Sequence, residues 1–102
     1  MTQFVHVAKA SDIPDQSAKC VEVQGRRICL VNLGGTFYAI DDTCTHAEAS
    51  LSEGQVTGDE IMCPLHMATF SILTGEVTGP PADQDLATYR VRLNDNDVEV
   101  EL

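Results

Sequence analysis

The sequence predicts an all-β domain, an antiparallel sandwich or small, partly open barrel that carries a loop-rich insertion. Apolar and polar residues alternate with a period of two near both ends of the chain, as in half-buried strands. Turn residues separate these segments, and no apolar stripe of helical period exceeds about two turns. With 102 residues, 43% of them hydrophobic, we expect one domain over residues 1–102.

Two hairpin signals occur in the first half of the chain. After a strand-like segment at residues 4–7, residues 20–23 and 27–31 flank Gln24 and Gly25, and Gly34 and Gly35 precede residues 36–40. Glycine tolerates the positive φ that two-residue hairpin turns require. We therefore expect three consecutive antiparallel strands here.

The end of the chain continues the alternation. Tyr89, Val91 and Leu93 alternate with polar residues, as do Val98, Val100 and Leu102 after the turn-rich residues 94–97. Each strand would present one apolar and one polar face, as in antiparallel sheets packed on one core.

The middle of the chain, residues 41–81, has a different composition. It is rich in glycine and proline and has only short strand-like pieces such as residues 60–62. A long irregular segment inside a compact domain needs something to hold it, and a metal centre would do so. We therefore expect this segment to form a metal-binding subdomain inserted in the β scaffold.

Charge and targeting signals narrow the function. Sixteen acidic and six basic residues give a net charge of −10, which argues against nucleic-acid and membrane binding and favours a basic partner. Residues 1–10 lack the basic start and apolar run of a signal peptide. We expect a soluble, cytoplasmic protein, in which four cysteines indicate metal or redox chemistry more than disulfides.

Two Cys/His pairs lie in the middle segment. Cys44-Thr45-His46 and Cys63-Pro64-Leu65-His66 are separated by sixteen residues. Two thiolates and two imidazoles suit a tetrahedral structural zinc or a 2Fe–2S cluster with two Cys on one iron and two His on the other. Because each pair offers one Cys and one His, two similar loops could clamp a two-metal unit, and this favours the iron–sulfur cluster.

With these residues the chain resembles the Rieske family over nearly its whole length. The resemblance implies one 2Fe–2S cluster, with Cys44 and Cys63 on the inner iron and His46 and His66 on the outer iron near solvent. Residues 79–81, Gly-Pro-Pro, resemble the proline loop that covers this cluster from a third side.

Departures from the family indicate a subgroup. High-potential Rieske proteins have a disulfide at the positions of Ala49 and Leu65, and a Ser and a Tyr at those of Ala68 and Phe70. Without hydroxyl donors to sulfur the reduction potential should fall, as in ferredoxins of bacterial ring-hydroxylating oxygenase systems. Met67 stands where many relatives have Gly.

This resemblance implies a monomeric electron carrier rather than an enzyme. It would pass single electrons from a flavoprotein NAD(P)H reductase to a Rieske non-haem iron oxygenase that hydroxylates aromatic rings. Neither a Ser/His/Asp arrangement nor a GxGxxG phosphate loop is present. Two alternatives stay open at this point, a Rieske-like small subunit of a larger oxidoreductase and a zinc-stabilised interaction domain.

Three further residues could suggest additional sites. If Gln24 and Gly25 form a two-residue turn, Cys20 and Cys29 lie opposite each other across the hairpin, and in a reducing compartment we expect them to be free. We expect His6 to be a surface or edge residue.

Overall fold

The structure is a computed structural model that describes residues 3–45, 48–65 and 67–102. In these ranges it contains eleven strands and two short 3-10 helices, Ala10–Asp12 and Leu51–Glu53. The strands are β1 (Phe4–Lys9), β2 (Ser17–Val23), β3 (Arg26–Leu33), β4 (Thr36–Asp41), β5 (Gln55–Thr57), β6 (Glu60–Met62), β7 (Thr69–Ser71), β8 (Val77–Gly79), β9 (Thr88–Tyr89), β10 (Val91–Asn94) and β11 (Asp97–Glu101).

The strands form three antiparallel sheets. The first has the order β1-β11-β10, the second β2-β3-β4-β9 and the third β5-β6-β7-β8. The first sheet joins the two ends of the chain, since β1 pairs along β11. The all-β prediction is therefore confirmed.

The predicted hairpins form with the predicted turns. Gln24 and Gly25 both have positive φ, 52° and 78°, as do Gly34 and Gly35, 65° and 95°. Positive φ at both central residues is the geometry that matches the twist of paired strands. Cys20 consequently lies opposite Cys29 in the β2–β3 register.

The expectation of a single core was wrong, because the second sheet is apolar on both faces. Residues 28–32 of β3 are all buried. Ile28 and Leu30 pack with Val98 and Val100 of the first sheet, whereas Cys29 and Val31 pack with Phe70 and the third sheet. A sheet covered on both sides needs apolar residues at consecutive positions rather than at alternating ones.

The third sheet lies within the predicted insertion. Its four strands have three residues each, and they pack on the core that contains Cys29 and Val31. Gly75 has a φ of +79°, and a side chain there would collide with the Leu86 carbonyl, so the sheet and the following segment approach closely. The boundaries of the insertion as a separate subdomain stay a prediction.

Candidate metal centre

Two loops of the same construction carry the predicted cysteines. Thr43 pairs with Ser50 at the base of the first loop, residues 43–50, and the Cys44 N–H donates to the Ala49 carbonyl at 3.0 Å. In the second loop, residues 62–69, Met62 pairs with Thr69.

The second loop repeats the hydrogen bond as well. The Cys63 N–H donates to the Ala68 carbonyl at 2.7 Å. In both loops the cysteine follows the first residue of the closing pair, and its N–H binds the carbonyl five residues further along the chain. Local backbone closure therefore fixes both cysteines in the same way.

The two cysteines meet in the core between the second and third sheets. Cys44 is 4% and Cys63 0% exposed, and both thiols are free. Burial raises the pKa of the Cys63 thiol, and a hydrogen bond with Cys44 raises it further, whereas the Leu65 backbone N–H, which donates to the Cys63 sulfur, lowers it. Two buried thiols within hydrogen-bonding reach can both bind one metal ion.

The two predicted imidazole ligands, His46 and His66, lie outside the described residues, so the four-residue ligand set stays a prediction. Within the described ranges, no group of three or more His, Cys, Asp or Glu could hold a metal ion. The thiol pair nevertheless fits the cysteine half of a 2Fe–2S site. Both thiols are buried, form no disulfide and lie close to each other. The Leu65 N–H also supplies the kind of hydrogen bond that stabilises a ligand sulfur.

Asp42, which sequence reasoning passed over, anchors the first loop. Its carboxylate is fully buried and accepts hydrogen bonds from the Ser50 hydroxyl at 2.5 Å and the Ser52 N–H at 3.0 Å. Arg27 forms an ion pair with it at 3.4 Å. Because Asp42 precedes the loop and both serines lie at or beyond its end, this carboxylate ties the two ends together.

The charge of Asp42 is stabilised where it lies. Burial alone would raise the pKa of Asp42, but the hydrogen bonds from Ser50 and Ser52 outweigh burial and lower it. No local pattern separates this aspartate from the many exposed acidic residues of the chain, except that it stands two positions before Cys44, a predicted ligand.

The positions predicted to lower the reduction potential lie in the same core as the two thiols. Ala68 and Phe70 are both fully buried and belong to the same core as Cys44 and Cys63. Neither side chain has a hydroxyl, so neither can donate a hydrogen bond to sulfur. At the other two positions that depart from the family, Ala49 is half-buried and Leu65 is 49% exposed.

The segment after Gly79-Pro80-Pro81 contacts the first loop and the core that contains both cysteines. The Thr45 hydroxyl, next to Cys44, donates to the Gln84 carbonyl at 2.7 Å. Ala82 and Leu86 pack into the core that contains both cysteines. The segment that follows the predicted proline loop is thus tied to the first loop, and cover of a cluster by residues 79–81 stays a prediction.

The exposed residues described at the tip of the second loop are apolar. Leu65 is 49% and Met67 68% exposed, and Pro64 is exposed as well. We call Pro64, Leu65 and Met67 the tip patch. Met62, at the start of the same loop, is half-buried.

The other two cysteines, Cys20 and Cys29, lie opposite each other in the β2–β3 hairpin. Both are free, as predicted. Burial raises the pKa of the Cys29 thiol far above its usual range and, more weakly, that of Cys20. His6 lies at the surface and pairs with Asp97 at 3.2 Å, also as predicted.

Comparison with known proteins agrees with this geometry. A family model described as Rieske [2Fe-2S] domain matches residues 3–90. A ferredoxin component of naphthalene 1,2-dioxygenase/salicylate 5-hydroxylase systems from Ralstonia sp is 39% identical over 91% of this chain and 90% of its own. The ferredoxin component of the naphthalene 1,2-dioxygenase system of Pseudomonas putida is 34% identical over 98% and 96%.

One similar solved structure contains a ferredoxin together with an oxygenase. A chain in a complex of reduced oxygenase and oxidized ferredoxin of carbazole 1,9a-dioxygenase superposes with a TM-score of 0.90. It is 36% identical, covering 95% of this chain and 91% of that one. No helix in the described part of the present chain has the length and apolar character that a membrane crossing needs.

Proposed function

Because this chain belongs to the Rieske [2Fe-2S] domain family, we propose that Cys44, His46, Cys63 and His66 hold its one cluster. The protein is an electron carrier, a ferredoxin component of a ring-hydroxylating dioxygenase system, and not itself a catalyst. The convergence of the buried Cys44 and Cys63 thiols on two equivalent loops supports the ligand proposal.

The ligand set explains why such a carrier can be reduced. Two ferric ions, two sulfides and two thiolates sum to zero charge when both imidazoles are neutral, whereas an all-cysteine cluster would carry −2. When bound, the group accepts and releases one electron at a potential between roughly −150 and +300 mV. Since Ala68 and Phe70 donate nothing to sulfur, we place this protein near the bottom of that range.

The chain's own residues do the remaining work. The two loop closures and Asp42 hold the cysteines in place, and the apolar core around them keeps water from the sulfurs. A net charge of −10 would steer the carrier toward basic faces on its partners.

We propose two partners for the electron path. The electron would come from a flavoprotein NAD(P)H reductase, because the chain carries no nucleotide-binding GxGxxG loop of its own. It would go to a terminal oxygenase, as the oxygenase–ferredoxin complex of the carbazole system suggests. One electron enters and one leaves, and no atoms are transferred. We further propose a reducing compartment, the cytoplasm, in which free thiols persist.

Replacement of a proposed outer ligand tests the assignment. We expect His66→Ala to lose the electron paramagnetic resonance signal of the reduced Rieske cluster and all electron transfer to an oxygenase. His6→Ala is the matched control, since His6 pairs only at the surface, and it should keep both. Circular dichroism should show the strands intact in both variants. A His66→Ala protein with the wild-type signal would refute the ligand assignment.

A further inference from the structure

We propose that Cys20 and Cys29 form a modification site, at which a hydroperoxide oxidises the two thiols to a disulfide across the β2–β3 hairpin. Neither cysteine belongs to the proposed ligand set, so this site is independent of the proposed function. It is defined by the register of the two strands and by the surroundings of the two sulfurs.

The register makes the two cysteines direct neighbours across the hairpin. Cys20 lies opposite Cys29, three pairs beyond Val23 and Arg26, the pair that closes the two-residue turn. Directly opposite residues of an antiparallel pair point to the same face of a sheet. The two cysteine side chains therefore leave the hairpin side by side.

Cys20 and Cys29 exchange no backbone hydrogen bonds with each other. Hydrogen-bonded and non-hydrogen-bonded pairs alternate along an antiparallel ladder, and the pair that closes a two-residue turn is hydrogen-bonded. The third pair beyond it, Cys20–Cys29, is therefore a non-hydrogen-bonded pair. In agreement, the Arg27 carbonyl accepts from the Asp42 N–H at 3.2 Å. Since Cys29 lies two positions after Arg27, its backbone groups also face β4.

A non-hydrogen-bonded pair has the geometry that a disulfide requires. The Cα atoms of such pairs are about 4.5 Å apart and their side chains are closer than in hydrogen-bonded pairs. Disulfides span Cα separations of about 4.4–6.8 Å. Because Cys20 and Cys29 are both free, rotation of the side chains can join the sulfurs with little movement of the strands.

The two thiols differ in their access to solvent. Cys20 is half-buried, whereas Cys29, Cys44 and Cys63 are buried. A small oxidant from solvent therefore reaches Cys20 first, and the Cys29 thiol can attack the product. Burial raises the pKa of the Cys20 thiol, and a hydrogen bond with Arg27 only partly offsets this. Since the thiolate is the reactive form, the oxidation should be slower than that of an exposed thiol.

The oxidation proceeds in two steps. Hydrogen peroxide transfers one oxygen atom to the Cys20 sulfur, which gives a sulfenic acid and one water. The Cys29 sulfur then attacks the Cys20 sulfur, the S–O bond breaks, and the oxygen leaves as a second water. Together the two thiols lose two electrons and two protons, and the peroxide is reduced to two waters.

The surroundings favour the disulfide over further oxidation of Cys20. Burial and the charge of the Asp42 carboxylate raise the pKa of both thiols, so an anion is disfavoured at either sulfur. A sulfinic acid at Cys20 would place another anion there, whereas the disulfide is neutral. Attack by the adjacent Cys29 is also intramolecular, which gives it an advantage over a second peroxide molecule.

Peptide mass spectrometry of the holoprotein tests the proposal. The purified protein is treated with a small molar excess of hydrogen peroxide, the remaining thiols are blocked with N-ethylmaleimide in acid, and trypsin is added without a reductant. Cleavage after Arg26 and Arg27 separates Cys20 from Cys29. We expect the two peptides to be joined, with the loss of two hydrogens, in more than half of the chains. Dithiothreitol should separate them.

Two variants locate the bond. The tryptic peptide that begins at residue 28 also contains Cys44 and Cys63, so a link through either would persist in Cys29→Ala. We expect Cys29→Ala to form no link and to accumulate sulfinic acid at Cys20. Cys20→Ser should also form no link and should leave Cys29 unmodified. The absorption spectrum of the cluster, recorded in parallel, should persist while the wild-type link forms.

Each other outcome refutes the proposal. A link retained in Cys29→Ala would place the partner thiol elsewhere. Sulfinic acid at Cys20 of the wild type without any link would show that the two sulfurs do not meet. A Cys20 that stays reduced while glutathione in the same solution is fully oxidised would exclude a peroxide site. A link that appears only after the cluster spectrum is lost would exclude this reaction in the native protein.

Discussion

Cys44 and Cys63 occupy equivalent positions in two loops of the same construction. Each donates its backbone N–H to the carbonyl five residues later, to Ala49 at 3.0 Å and to Ala68 at 2.7 Å. Each follows the first residue of a pair that closes the loop. Because both closures use backbone groups, they fix the cysteines independently of the surrounding side chains, which are free to tune the reduction potential.

Removal of the Asp42 carboxylate should loosen the first loop. Asp42→Ala leaves the Ser50 hydroxyl, the Ser52 N–H and Arg27 without their acceptor. Loss of a hydrogen bond to a charged partner lowers the free energy of unfolding by about 1.5–3 kcal/mol. Chemical denaturation should show a loss of that size, and iron content should fall. Asp59→Ala, at an exposed residue, is the control and should change neither quantity.

A hydroxyl beside the sulfurs should raise the reduction potential. Ala68→Ser places a donor in the core that contains Cys44 and Cys63. A hydrogen bond worth about 1 kcal/mol to the reduced form corresponds to about +40 mV for one electron. Ala39→Ser, in the other core, adds the same hydroxyl away from the site. Equal potentials for both variants and wild type would contradict our account of Ala68.

A methyl group at Gly54 should disturb the second loop. The Cβ of Gly54→Ala would collide with the Met62 carbonyl oxygen, next to Cys63. Overpacking of this kind costs about 1–3 kcal/mol, so we expect lower stability and a partly lost cluster in the absorption spectrum. At Gly25 a Cβ meets nothing, and Gly25→Ala should keep full cluster content despite its turn strain. Equal cluster loss in both variants would mean that contact with Met62 is irrelevant.

The four cysteines should separate into two functional pairs. Cys20→Ser and Cys29→Ala should bind a full cluster, whereas Cys44→Ser and Cys63→Ser should lose iron and acid-labile sulfide. In the folded wild-type protein, iodoacetamide at pH 8 should leave Cys29 unmodified, since burial raises its pKa and blocks access. Rapid modification of Cys29 without unfolding, seen by peptide mass spectrometry, would contradict the structure.

Parts of this fold could be predicted because local chemistry determines them. Gly25, Gly34 and Gly35 supply positive φ at hairpin turns, and such turns specify register without reference to the rest of the chain. The central position of β3 was missed, although its uninterrupted apolar residues 28–31 are the expected pattern of a strand covered on both faces.

The residues of the site also differ in whether the local sequence predicts their role. Cys44 and Cys63 could be predicted as ligands from their spacing to His46 and His66, because metal ligands are few in kind and closely spaced. The role of Asp42 could not be predicted, because it depends on contacts with Ser50, Ser52 and Arg27 that form only in the folded protein. The positive φ of Met67 could likewise not be predicted, because nothing in the residue type requires it.

Direct voltammetry of the anaerobically purified protein tests the central claim most directly. We expect one reversible one-electron wave near about −150 mV, at the low end of the Rieske range, since the sulfurs receive no hydroxyl donors from Ala68 or Phe70. A wave well above zero would leave the cluster in place but contradict this explanation of its potential and the proposed place in the electron path. A colourless protein without any wave, containing zinc, would contradict the account as a whole.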